Sequence, residues 1–145
     1  LYEQLGQDKN VANQCYWLGD CYREWGKYQQ ALECEQKELA IRQQLDEQPG
    51  IGLAYWRLGR IYQAWSKYKQ AIAHYQQSRY LYEQLSQDKN VANQCYWLGD
   101  CYREWGKYQQ ALECEQKELA IRQQLDEQPG IGLAYWRLGR IYQAW

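Results

Sequence analysis

Phenylalanine and methionine are both absent from the 145 residues, proline occurs twice and histidine once. A single imidazole and no Ser-His-Asp clustering leave little material for acid–base or nucleophilic catalysis, so no enzyme is expected. A surplus of either charge is missing too. Lys and Arg number 17 and Asp and Glu 18, for a net charge of -1. A binder of phosphate backbones needs a basic excess and an acidic tail needs the reverse, so no nucleic-acid partner is expected. No apolar run approaches the ~20 residues of a membrane span, and no signal or transit pattern opens the chain. Mean hydropathy is -0.91, and no membrane partner is expected. There is no CxxC pair and no glycine-rich phosphate cradle, so no metal or cofactor is expected either. The first residue is Leu1 rather than Met, which reads as an internal stretch of something longer.

What fills the apolar role is tyrosine, 15 residues, and tryptophan, 8 residues. Their placement follows a repeat. Displaced by 80 positions, Leu1–Trp65 falls on Leu81–Trp145 with the single mismatch of Gly6 against Ser86. Displaced by 40, a weaker identity appears: Leu18, Gly19, Tyr22, Trp25, Lys27 and Tyr28 recur as Leu58, Gly59, Tyr62, Trp65, Lys67 and Tyr68. The chain therefore alternates two kinds of 40-residue unit, odd and even, and self-similarity at such a period marks a repeat array.

Each unit reads as two helices. Val11, Cys15, Leu18, Tyr22 and Trp25 step by three or four, as do Ile51, Tyr55, Leu58, Tyr62 and Trp65. Tyr28, Ala31, Leu32, Leu39 and Leu45 carry the second helix of the odd unit. No stretch alternates with period two, so strands are not expected. Asp8 suits a cap ahead of Lys9, and Pro49 suits a first helical turn. Gly26 and Ser66 divide the paired helices, while Gly6, Asp46, Ser86 and Asp126 mark the end of each second helix. These signals place helices near 9–25, 28–45, 49–65, 68–85, 89–105, 108–125 and 129–145. Residues 1–5 read as the tail of a preceding second helix, 9–45, 49–85 and 89–125 as repeats, and 129–145 as an unpaired first helix. All of 1–145 is read as one domain.

These residues resemble the tetratricopeptide repeat, whose pattern runs Trp-x2-Leu-Gly-x2-Tyr, then Ala-x3-Phe, then Pro. The odd unit offers Cys15, Leu18, Gly19, Tyr22, Ala31 and Glu35; the even unit offers Tyr55, Leu58, Gly59, Tyr62, Ala71 and Tyr75. The unit has 40 residues rather than 34 and lacks the closing proline, which suggests a longer second helix, as in bacterial multi-repeat scaffold proteins. Glu35 stands where the pattern has a large aromatic. Its expected fate is to reach solvent or a tyrosine hydroxyl, because unpaired buried charge is costly. The resemblance implies an all-α, right-handed α-solenoid of antiparallel helix pairs with a concave face lined by the first helices.

Cys15, Cys21, Cys34 and their copies admit a disulfide or metal reading. Their even-unit counterparts Tyr55, Ile61 and His74 point instead to buried free thiols in a reducing, cytoplasmic setting. His74 has no nucleophile beside it and reads as a partly exposed helix residue. Glu33, Glu35 and Glu38 read as solvated or interhelical carboxylates, with Glu38 and Arg42 an i,i+4 pair.

If the resemblance holds, Asn13, Tyr16, Asp20 and Arg23 line the concave face in the odd unit, and Trp56, Arg60 and Gln63 do so in the even unit. The copies Tyr96, Asp100, Arg103, Trp136 and Arg140 follow. An aromatic row Tyr16, Trp56, Tyr96, Trp136 beside an alternating charge row Asp20, Arg60, Asp100, Arg140 suits a peptide or protein partner, since Tyr, Trp and Arg dominate binding hot spots. The expected function is a non-enzymatic interaction scaffold. The alternative is a structural rod that self-associates head to tail, with no dedicated ligand.

Overall fold

The structure, a computed structural model, describes residues 2–145, with side chains from Glu3 onward. Seven helices appear among them: α1 (Tyr2–Glu24), α2 (Tyr28–Gln44), α3 (Gln48–Ala64), α4 (Tyr68–Gln84), α5 (Asp88–Glu104), α6 (Tyr108–Gln124) and α7 (Gln128–Ala144). The described residues contain no strand. From α2 to α7 every helix has 17 residues and every connection three, which is how a helix pair comes to 40. The second helix of a pair is thus no longer than the first.

The turns explain this regularity. Gly26, Asp46, Ser66, Ser86, Gly106 and Asp126 all adopt positive φ, between 53° and 80°. At Asp46 the amide N–H bonds to the Gln43 carbonyl at 3.1 Å, and the next N–H, of Glu47, reaches back to Arg42 at 3.1 Å. The same pair of bonds recurs at the other five turns. This is the Schellman arrangement, in which a left-handed residue just past the helix end satisfies the last carbonyls and reverses the chain. Glu47, Gln87 and Lys107 then begin the next helices without any side-chain capping bond. Asp88 lies inside the first turn of α5 rather than capping it.

At the start of the chain the expected boundary is absent. Residues 2–8 continue α1 in one helix through Gly6, so Asp8 caps nothing and residues 2–5 are not a separate tail; Leu1 lies outside the described residues. The physical reason is the backbone at Gly6, which stays helical, whereas Asp46, Ser86 and Asp126 at the matching places adopt positive φ and end a helix.

Two compact units divide the chain, one running up to His74 and the other from Tyr75 to Trp145. In the first, α1 packs on α2 and α2 on α3. Ala31 and Leu32 of α2 meet Leu58 and Ile61 of α3, with Tyr22, Tyr28, Tyr55, Tyr62 and Trp65 packed around them. In the second, α5 packs on α6 and α6 on α7; Ala111, Leu112 and Ile141 form one core, and Tyr82, Val91 and Cys95 another. Tyrosine does the work of the missing Phe and Met: Tyr75 and Tyr82 are buried outright, while Tyr22, Tyr28, Tyr55 and Tyr62 pack a ring against the core and stay partly exposed.

Candidate functional site

The site begins with a buried charge. Glu38, on α2, is 0% exposed. Arg57 of α3 donates to both its oxygens at 2.9 Å, and Arg42, one turn along α2, donates at 3.3 Å. Arg42 also holds Glu47 at 3.0 Å and the Asn13 side-chain oxygen at 3.0 Å. The second unit repeats the set: Arg137 donates to Glu118 at 2.9 and 2.7 Å, and Arg122 donates at 2.8 Å. A carboxylate removed from water is tolerated only when its lone pairs are filled in this way. The clamp in turn orients the arginine. The Arg57 guanidinium lies over the Tyr16 ring at 3.8 Å, and Arg137 lies over Tyr96 at 3.8 Å.

Glu35 sits one helical turn before Glu38 and is 1% exposed. Burial, a hydrogen bond to Glu38 and the charge of Glu38 push its carboxyl up to about 10, against the pull of Arg57. Glu115 is raised to about 10 for the same reasons. Each is therefore a neutral acid at physiological pH, donating its proton to the neighbouring carboxylate. The expectation that Glu35 reaches solvent or a tyrosine hydroxyl is thus overturned: the pairing that makes burial affordable is with Glu38. Its position also accounts for Gly19, since a Cβ there would lie 2.5 Å from Glu35 Oε1; at Gly99 the corresponding distance to Glu115 is 2.7 Å.

Above this floor each unit has a recess between its first helices. In unit 1, Gly19, Asp20, Arg23, Glu35, Arg57, Arg60 and Ile61 line a shallow recess open to solvent. The unit 2 counterpart is equally shallow, with Tyr96, Asp100, Arg103, Glu115, Arg137 and Arg140 among its walls. Three arginines and two carboxyl groups line each, and Arg57 and Arg137 are already paired with the buried Glu38 and Glu118, so the charge there is mixed. Asp20 is held by Arg23 at 2.8 Å and Asp100 by Arg103 at 2.7 Å. Arg60 lies over Trp56 at 5.2 Å and Arg140 over Trp136 at 4.8 Å.

Of the expected face residues in unit 1, Tyr16, Asp20, Arg23, Trp56 and Arg60 thus gather at the recess and its rim. Tyr96, Asp100, Arg103, Trp136 and Arg140 do so in unit 2. Asn13 is occupied as the acceptor for Arg42 instead, and Gln63 is buried. Sequence reasoning missed Arg57 and Arg137; of its two readings for Glu35 and Glu38, solvated or interhelical, Glu38 follows the interhelical one, and its expected i,i+4 pair with Arg42 is present. The one available signal was Glu35 at a position where the family pattern places an aromatic.

The six cysteines are unpaired: Cys15, Cys95 and Cys101 are buried, Cys34 and Cys114 half-buried, and Cys21 exposed, contrary to its expected burial. His74 is half-buried, its ring 5.2 Å from Tyr62 and its Nδ1 2.8 Å from the Gln70 carbonyl oxygen. Among the described residues no group of three or more His, Cys, Asp or Glu could hold a metal ion.

Residues 12–84 and, separately, residues 93–122 match family models described as tetratricopeptide repeat. Among solved structures the chain is similar to BtubC (BKLC) from P. vanneervenii, with a TM-score of 0.81 and 21% identity over 94% of this chain and 57% of that one. It is similar to aspartyl phosphate phosphatase F from Bacillus subtilis, with a TM-score of 0.82 and 15% identity over 90% of this chain and 34% of that one. A putative kinesin light chain of Podosopora anserina with nearly identical TPR-like repeats aligns with a TM-score of 0.75 and 23% identity, over 91% of this chain and 65% of that one. The chain thus spans less than two thirds of each, and at these identities the likeness is one of fold. Curated protein sequences give no match.

Proposed function

The chain belongs to the tetratricopeptide-repeat family, and from that premise we propose that it is a non-enzymatic scaffold whose units each hold an extended segment of a peptide or protein partner. The fold is the all-α repeat solenoid, a class that generally serves protein–protein contact. The observation that carries the reading is the arginine clamp. Arg57 and Arg137 are fixed between a buried carboxylate and a tyrosine face before any partner arrives. Preorganised arginine beside tyrosine and tryptophan loses little side-chain freedom on binding, which is the composition of an interaction hot spot.

The mixed charge of the rim favours a segment carrying acidic and aromatic residues over a long polyanion. No cofactor is required, neither nucleic acid nor membrane is a partner, and free thiols suit the cytoplasm. No helix among the described residues is long and apolar enough to cross a membrane. Selection of displayed random peptides against the chain tests this. Enrichment of acidic, aromatic peptides with shallow salt dependence is expected; recovery of polyanions alone, with steep salt dependence, contradicts it.

A further inference from the structure

A second helix meets the first helix of the next pair through one of two different sets of side chains. Where α2 meets α3 the set is ionic. Glu38 takes both Arg57 bonds at 2.9 Å, Arg42 adds its own at 3.3 Å, and Glu35 is hydrogen-bonded alongside. Gly50 leaves room for this, since a Cβ there would lie 3.0 Å from Arg42 Cδ. The α6–α7 contact repeats the set, with Gly130 making way for Arg122. Where α4 meets α5 the set is aromatic and neutral. Displaced by 40, Glu35, Glu38 and Arg42 become Tyr75, Ser78 and Tyr82, while Gly50 and Arg57 become Asn90 and Trp97. Tyr75 and Ser78 are buried completely, Tyr75 stacks on Trp97 at 6.2 Å, and Tyr82 packs with Val91 and Cys95. Five positions on two helices thus change character together. Leu18, Gly19, Tyr22 and Ala31, by contrast, recur unchanged as Leu58, Gly59, Tyr62 and Ala71.

We propose that the two sets form a pairing code between repeats: an odd second helix accepts only an even first helix, and an even second helix only an odd one. Odd on odd would put tryptophan where Arg57 stands and leave Glu38 buried with one arginine fewer. It would also set asparagine, in place of Gly50, against Arg42. Even on even would bury a guanidinium against Tyr75 and Ser78 with no carboxylate to receive it. Losing one partner of a buried ion pair is costly, whereas exchanging the whole pair for packed neutral groups is not. The code meets a hazard of the sequence itself. Residues 7–65 and 87–145 are identical, and near-identical repeats invite misassembly. A slip by one 40-residue unit breaks every such contact, so the order of repeats is fixed by side-chain chemistry. The inference stands whether or not the recess holds a partner.

Transplanting one set onto the other tests the code. The second-helix half is Glu35→Tyr, Glu38→Ser and Arg42→Tyr; the first-helix half is Gly50→Asn and Arg57→Trp. Either half alone creates a forbidden contact and should lower the melting temperature of the full chain by roughly 10 °C. The two halves together rebuild the α4–α5 set between α2 and α3, and should bring it back to within about 5 °C of the parent. A milder cycle covers the case in which a half-exchanged chain does not fold. Gly50→Asn alone lowers the melting temperature, and adding Arg42→Tyr recovers part of the loss. Effects that simply add in either cycle, so that the combined variant is the least stable, overturn the proposal. So does a half exchange that leaves melting unchanged.

Discussion

Replacing Glu35 by glutamine stabilises the protein at neutral pH. The free carboxyl titrates at 4.5 and the buried one at about 10. A folded-state value raised in this way means that the native state binds the proton more tightly than the unfolded chain. The resulting contribution is fully present below pH 4.5 and is lost progressively as the pH rises toward 10. At pH 7 the loss is set by the 2.5 units between the free value and the solution. At 1.36 kcal/mol per unit it is about 3 kcal/mol for one site. Glutamine keeps the shape, donates N–H to Glu38 as the protonated acid did, and has no proton to hold. Glu35→Gln should therefore match the parent near pH 4 and exceed it by ~1–3 kcal/mol at pH 7 to 8, part of the gain going to an imperfect amide geometry. Glu115→Gln should do the same in the second unit. Urea unfolding of parent and variant at several pH values between 4 and 9 measures the difference directly. Parallel stability curves, with no divergence above pH 5, would refute the neutral-acid assignment.

Removing the other carboxylate has the opposite effect: Glu38→Ala strips Arg57 and Arg42 of their shared acceptor, and a loss of ~3–5 kcal/mol by chemical denaturation is expected. Gly19→Ala pushes a methyl into Glu35 Oε1 and should cost ~1–3 kcal/mol, whereas Gly6→Ala, with nothing within 4 Å of its Cβ, should add ~0.5–1 kcal/mol to α1 by thermal melting. Ser66→Gly relieves a left-handed residue at φ 60° and should gain up to ~1 kcal/mol. In thiol titration Cys21 should react first, while Cys95 and Cys101, which burial pushes up to about 11 and about 12, stay silent until unfolding.

Much of the fold was legible because its punctuation is chemical. Glycine, serine and aspartate recur where the backbone must turn left-handed, so helices α2 to α7 fall within about two residues of where their pattern places them. At Glu35 and Glu38 the sequence left two readings open, solvated or interhelical, and could not choose between them, because the arginine that makes Glu38's burial tolerable comes from 19 residues away on another helix. Arg57 itself was passed over for Trp56 and Arg60, although it stands between them and is the residue both the carboxylate and Tyr16 hold in place. Gln63 follows Arg60 on the helical wheel closely enough to share its face on paper, and packing buries it instead.

The scaffold reading is tested most directly at Trp136, which is 59% exposed and lies beside Arg140 at the rim of the second recess. For a peptide selected by the parent chain, affinity and melting temperature are measured together for parent and Trp136→Ala. The account predicts roughly tenfold or greater loss of affinity, the weight of a hot-spot tryptophan, with no change in melting temperature. Unchanged affinity would contradict it, as would a fall in affinity that only tracks a fall in stability.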